Sequence, residues 1–436
     1  MKFFSQLHHF MLAGARAHAK WEMDISNTIL RDRRRLAILG LLLIPILIGG
    51  IAFADEVIGQ LPGMLGGKNA YAPAFYTPTI FFASIGVGIV AGLITGCIGA
   101  GGGFIIAPAL MSVGVKGILA VGTDLFHIFA KAIMGSVLHR KLGNVSVSLA
   151  MVFLIGSIGG ATLGGWVNRT LYEMNPVLSD AFITTIYVLM LGFLCSYALM
   201  DFFRQTRKAA AAKASPSTTA KASGLTNLAQ KLQGVSLPPM IQFDQGVTPG
   251  GRRISWLFLV LSGFVVGMAA AIMGVGGGFL TFPIFVYVLG VSSATTVGTD
   301  IFQIIFTAGY AGLSQYAVYG FIFYTLAMGM LLGSLVGIQI GSLITKVVSG
   351  VTICGLYAIA TSAGFVNRAF ALPSKLASME VISMSKETGK LLETVGTYVF
   401  FLVLGSFAIW VFYIFFTNIK TLKGEGDAHI SKEAHS

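Results

Sequence analysis

Charge is scarce in this sequence. Only 11% of its 436 residues are Asp, Glu, Lys or Arg, where a soluble globular chain carries about 25%. That is too few to cover the surface of a soluble protein of this length, and 55% of the residues are hydrophobic. Alternating ten-residue strands are missing as well, which excludes a membrane β-barrel. The apolar runs are about 20 residues long, the length of a membrane-spanning helix. Cysteine is equally sparse: Cys97, Cys195 and Cys354 all sit inside apolar runs and form neither a disulfide framework nor a CxxC pair. This argues against redox chemistry and structural zinc. HExxH, GxSxG and paired-aspartate motifs are absent, so no catalytic residues, metal site or cofactor are expected, and the chain does not read as an enzyme.

What remains is an all-α polytopic integral membrane protein. Residues 1–35 form a polar, cytoplasmic N-terminal segment ending in Arg31, Arg33, Arg34 and Arg35, and 36–54 an extra N-terminal transmembrane helix. A first repeat spans 79–203, a cytoplasmic linker 204–255 and a second repeat 256–366. An extracytoplasmic loop (367–395), a final transmembrane helix (396–416) and a cytoplasmic tail (417–436) follow. With both termini inside, the predicted inside segments hold most of the 29 Lys and Arg. This is the positive-inside pattern, and it accounts for the net charge of +12 without nucleic acid. A multi-pass protein of the cell (inner) membrane, surrounded by lipid, is expected. The middle of the linker, AAAAKASPSTTAKASG, is low-complexity, whereas SLPPMIQFDQGVTPGG carries β-forming residues and reads as a locally folded stretch.

The two halves repeat each other. GCIGAGGGFIIAP at 96–108 returns as AIMGVGGGFLTFP at 271–283, and VGTDLF at 121–126 as VGTDIF at 297–302. Gly156, Gly160 and Gly164 return as Gly333, Gly337 and Gly341. Each repeat holds five apolar segments. An odd number orients the halves oppositely, and inverted-topology repeats mark secondary transporters with a substrate site near the midplane.

The glycine blocks are the first candidate site. Gly99, Gly101, Gly102 and Gly103, with Gly274, Gly276, Gly277 and Gly278, interrupt a helix at membrane depth. Such a break is tolerated only inside protein or beside a wet cavity. The apolar runs 103–114 and 279–290 that follow have about 12 residues, too few to span the bilayer, and read as half-helices. Their N-termini offer free N–H donors to an anion. Close helix packing is the alternative reading of these glycines, and the one that suits Gly156, Gly160 and Gly164.

Polar residues within the spans form the second candidate set. Asp124, His127 and Lys131 fall on one helix face, and Asp300, Gln303 and Thr307 hold the matching positions. Each charge needs a partner or a cavity. The paired aspartates read either as N-caps following Thr123 and Thr299, as partners of an opposite charge, or as proton-coupling groups. Lys131 adds positive charge to one side of the cavity, or pairs with Asp124. His127 is a coupling candidate or a satisfied core histidine, and Cys97 a small core residue or a cavity-lining thiol. His139, beside Arg140 and Lys141, reads as a topology signal.

The G-x-G-G-G-F-(I/L)-x-x-P blocks and the VGTDLF…K…H…GNV string at 121–145 resemble the TauE/SafE-type sulfite and sulfonate exporters, also called the four-toluene sulfonate uptake family. The resemblance covers about 79–203 and 256–416. It implies proton-linked secondary transport of small sulfur-containing anions, inorganic or organic, in the exporting direction. Carried over by motif, Gly101, Gly102, Gly103, Asp124, Lys131, His139 and Asn144 are the matched positions, with Gly276, Gly277, Gly278 and Asp300 in the second half. A homo-oligomer is compatible with this reading. The competing classes are a channel-like anion conduit and a membrane scaffold or sensor that works through the central loop.

Overall fold

The structure is a computed structural model that describes residues 62–67, 78–98, 102–141, 145–214, 227–244, 251–276, 278–344 and 347–418. The expected helix at 36–54 and the N- and C-terminal cytoplasmic segments lie outside the described residues. The described chain is helical apart from one small hairpin. In the first half, α1 (Pro78–Ile98), α2 (Gly103–Ser112), α3 (Gly117–Lys141), α4 (Val147–Met174) and α5 (Pro176–Ala214) follow one another. Next come α6 (Asn227–Gly234) and the strands β1 (Met240–Phe243) and β2 (Arg252–Ser255). The second half has α7 (Trp256–Met273), α8 (Gly278–Pro283), α9 (Ser293–Tyr310), α10 (Tyr324–Ile344) and α11 (Gly350–Ser378). The helix α12 (Lys386–Thr417) closes the described chain.

Six of these helices, α1, α4, α5, α7, α10 and α12, are long and apolar enough to cross a membrane. By contrast α2, with 10 residues, is about 15 Å long at 1.5 Å per residue, half of a hydrocarbon core. α8 has only six residues and continues as a π-helical turn, Ile284–Leu289. Both short elements follow a glycine block, as expected.

The halves clasp each other. α1 packs along α10 and α7 along α4, so the first helix of each half lies against the fourth of the other. Both seams depend on glycine. A methyl group at Gly156 or Gly160 would collide with the carbonyl oxygens of Val260 or Phe264, and one at Gly333 or Gly337 with those of Ile85 or Ile89. Contact this close increases van der Waals packing, which must hold helices together where lipid offers no hydrophobic drive. The exchange extends to single hydrogen bonds. Thr123 Oγ1 of α3 accepts from Phe323 N ahead of α10 at 2.9 Å, and Thr299 Oγ1 of α9 from Ser146 N ahead of α4 at 3.1 Å. α3 also packs on α9 and α5 on α11.

Helical structure continues past two of the expected boundaries. The linker was expected from 204, but α5 runs on to Ala214, because RQTRKAAAAKA consists mainly of good helix formers. The loop expected over 367–395 is helical up to Ser378 and again from Lys386. Arg368 within α11 is buried among neutral polar partners.

The later part of the linker folds, as its β-forming residues suggested. β1 and β2 pair antiparallel, Met240 opposite Ser255 and Phe243 opposite Arg252. Phe243 and Ile254 are buried with Leu149, Phe153, Leu259, Phe285 and Leu289 in a small core of their own. Polar contacts fasten this unit to the chain after α8. Gln233 Nε2 donates to Leu289 O at 2.7 Å and Arg252 Nη1 to Gly290 O at 2.6 Å. The Asp244 carboxylate accepts from Ser292 N at 2.8 Å and from Ser292 Oγ at 2.7 Å. Ser292 is in turn the N-cap of α9. The folded linker therefore anchors both the end of the second half-helix and the start of the helix carrying Asp300.

Candidate functional site

The second helix break shows how a backbone can stop at membrane depth. α7 ends at Gly274, whose φ of +77° an L side chain rarely adopts, and Gly276 has a φ of +50°. Stopping there leaves carbonyls without intrahelical partners, and side chains from three other elements meet them. Asn168 Nδ2 of α4 donates to Ile272 O at 3.1 Å and to Ala271 O at 3.4 Å. Tyr316 Oη, at the end of the π-helical turn after α9, donates to Ala271 O, and Tyr187 Oη of α5 to Met273 O. Asn168 also donates to Tyr316 Oη at 2.8 Å. These three residues escaped the sequence reading. A polar residue in an apolar run was the signal available for Asn168, while buried tyrosines give none.

The two breaks meet. A Cβ built on Gly103, the first residue of α2, would lie 3.2 Å from Val275 Cα and 3.4 Å from Asp124 Oδ2. One built on Gly276 would press on Ile128 at 2.7 Å. The N-terminus of α2, the second glycine block and the polar face of α3 thus share one place, where an added side chain would crowd its neighbours. Gly102 precedes α2 in a right-handed helical conformation, and Gly278 opens α8. Gly101, Gly277 and Asn144 lie outside the described residues, as does the side chain of His139.

Within this site the halves keep the same positions and use them differently. Asp300 Oδ1 accepts from Gln303 Nε2 at 2.9 Å, and Thr281 also hydrogen-bonds to this carboxylate. Gln303 Oε1 accepts from Thr307 Oγ1 at 2.7 Å, and Thr307 Oγ1 meets Ser157 Oγ of α4 at 2.8 Å. The ladder is closed and neutral apart from its carboxylate. In the first half Ile106 stands where Thr281 does, His127 where Gln303 does, and Lys131 where Thr307 does. Asp124 is fully buried, and neither carboxylate oxygen has a hydrogen-bond partner among the described residues. Its Oδ1 lies 3.5 Å from His127 Nδ1. On its other side His127 Nε2 reaches Ser334 Oγ of α10 at 3.1 Å. Ser334 is the repeat equivalent of Ser157, and the pair could have been found from the G-S dipeptides at 156–157 and 333–334. Lys131 is half-buried two turns further along α3.

The N-cap reading of the aspartates does not hold. Asp124 and Asp300 lie seven residues inside α3 and α9, and Thr123 and Thr299 receive backbone N–H groups from other helices. Cys97 is buried at the end of α1, its Sγ 3.4 Å from Gly341 O. It belongs to the α1–α10 seam. Among the described residues no group of His, Cys, Asp and Glu could hold a metal ion.

A buried Asp–His pair, a neighbouring lysine and two interrupted helices form a polar focus inside an apolar bundle. Such an arrangement can hold a proton and meet an anion. The profile of the sulfite exporter TauE/SafE family matches residues 84–367, which contain both breaks and both aspartates. The probable membrane transporter protein YunE of Bacillus subtilis (strain 168) is 25% identical over 274 residues, covering 61% of this chain and 89% of that protein. A second probable transporter from the same strain, YjnA, is 24% identical over 257 residues, 59% of this chain and 87% of that protein. A probable membrane transporter protein of Xylella fastidiosa (strain 9a5c) is 22% identical over 263 residues, 60% and 83% of the two chains. No solved structure gives a significant match.

Proposed function

Because this chain belongs to the sulfite exporter TauE/SafE family, a family of membrane transporters, we propose that it is a proton-coupled secondary transporter exporting small sulfur-containing anions such as sulfite or organosulfonates. The anion meets the N-terminus of α2 and the backbone of the second glycine block, at Gly101, Gly102, Gly103, Gly276, Gly277 and Gly278. Lys131 supplies positive charge. Asp124 and His127 carry the coupling proton, while Asp300, held by Gln303 and Thr281, keeps the second half in register. The two halves lie in opposite senses in the cell (inner) membrane, with the termini and the linker cytoplasmic.

The observation that carries this reading is the difference between the two aspartates. Asp300 has hydrogen-bond donors that satisfy a carboxylate. Asp124 occupies the same position with a histidine at 3.5 Å and, among the described residues, no donor on either oxygen. A buried carboxylate left without donors is costly as an anion, so a group that exchanges a proton suits this place and a purely structural one does not. A neighbouring anion would reinforce uptake of the proton, which couples the two movements.

The test is flux of labelled sulfite into proteoliposomes of purified protein, with and without an imposed pH gradient, beside Lys131→Ala and Lys131→Thr. Gradient-driven flux lost in both variants is the expected result. Flux that ignores both the gradient and the substitutions would replace the carrier with a channel-like conduit.

A further inference from the structure

A charged cavity lies at the end of the bundle where α2 and α11 finish and α5 and α12 begin. Its volume is about 450 Å³, the size of a small-molecule pocket. Lys116, Asp180, Arg368, Lys375, Lys390 and Glu393 line it, four cations against two carboxylates. Both carboxylates are already engaged. Asp180 Oδ1 accepts from Gly117 N at the start of α3 at 2.8 Å, and Glu393 pairs with Lys375 at 3.5 Å.

Arg368 has no such partner. It is only 2% exposed, and its two hydrogen bonds run to neutral groups. Nε donates to Asn367 Oδ1 and Nη2 to Ser112 Oγ, each at 2.7 Å. Among the described residues no carboxylate comes within ion-pair distance of it. A buried guanidinium is costly when its nearest carboxylates, Asp180 and Glu393, are engaged elsewhere and beyond ion-pair distance, and its planar fork carries more donors than these two bonds use. Ser112 and Asn367 hold the guanidinium in place where it lines the cavity.

We propose that this cavity is an oxyanion site, binding a sulfate, sulfonate, sulfite or phosphate group with Arg368 as its floor and Lys390 closing it from α12. Arginine suits tetrahedral oxyanions because its fork can donate two parallel hydrogen bonds. Arg368 and all of α12 lie beyond the residues that the family profile matches. The group can come from a soluble anion or from the phosphate of an anionic lipid, since α12 presents Leu402, Ile409 and Tyr413 outward.

The experiment is a titration with labelled inorganic sulfate of the full chain in phosphatidylcholine nanodiscs, repeated with phosphatidylglycerol added. Saturable binding is expected, abolished by Arg368→Gln and weakened about tenfold by Lys390→Gln, the loss of one charge-assisted contact. Because removing buried Arg368 can impair folding, the exposed Lys390 decides the matter. Displacement of sulfate by phosphatidylglycerol would identify the lipid phosphate as occupant, and unchanged binding a soluble anion; both uphold the site. No saturable binding in phosphatidylcholine, or binding indifferent to Lys390→Gln, would overturn it. Sulfate held here by a chain that moves no sulfite would refute the transport reading alone.

Discussion

Adjacent glycines on α4 should respond differently to the same substitution. Gly160 faces α7, and an added Cβ would meet Phe264 O and lie 2.7 Å from Met268 N, both of them backbone atoms that cannot swing aside. Gly159 faces outward, and its Cβ would find only Phe264 Cδ2 at 3.7 Å, an ordinary contact. Replacing either by alanine gains the same helix propensity, about 1 kcal/mol. That term cancels between the two variants. What is left is the overpacking at Gly160, about 1–3 kcal/mol, less whatever the α4–α7 pair recovers by moving apart. Gly159→Ala should therefore match or exceed the parent in stability, while Gly160→Ala falls below Gly159→Ala by about 1–3 kcal/mol. Unfolding in mixed detergent micelles, followed by tryptophan fluorescence, gives the difference. Equal stability, or a more stable Gly160→Ala, would refute the packing account of the seams.

Other outcomes follow from single contacts. Thr123→Val and Thr299→Val each strip the partner from one backbone N–H, of Phe323 and Ser146. Each should cost about 1–2 kcal/mol, and similar losses in thermal denaturation would confirm that the halves exchange equivalent bonds. Asn168→Leu leaves the Ile272 carbonyl and the Tyr316 hydroxyl short of a donor, for about 1–3 kcal/mol; a shift in the denaturant midpoint reads it. Asp244→Ala releases Ser292 from two hydrogen bonds and should speed proteolytic cleavage near the start of α9. Deletion of 209–250 should destabilise the second half rather than leave it untouched, measured by the yield of monodisperse protein, because that segment includes α6 and β1.

Much of this architecture could be read from the residues because the duplication prints every landmark twice. The GAGGG and GVGGG blocks located both breaks, and the spacing of Gly156, Gly160 and Gly164 located a helix seam. The limits of that reading have physical causes. Hydropathy treats a charge as an end of a span, yet Arg368 is buried inside α11, where Ser112 and Asn367 meet it from two segments. The start of α3 is held by a distant partner: Gly117 N donates to Asp180, 63 residues further on, which sequence proximity cannot reveal. The face Asp124–His127–Lys131 was legible, but its asymmetry with Asp300 gained meaning only with Thr281 on one carboxylate and, among the described residues, no donor on the other. Asn168, Tyr187 and Tyr316 act on carbonyls far along the chain, so no local pattern announces them.

The account turns on Asp124 and His127 as the route of a proton. Proton movement into proteoliposomes, followed with a trapped pH-sensitive dye after addition of sulfite, tests it for the parent, Asp124→Asn and His127→Gln. Glutamine is the residue that holds the matching position, 303, in the second half, so His127→Gln should fold normally. The account predicts sulfite-dependent proton movement in the parent and none in either folded variant. Undiminished proton movement in both would contradict it.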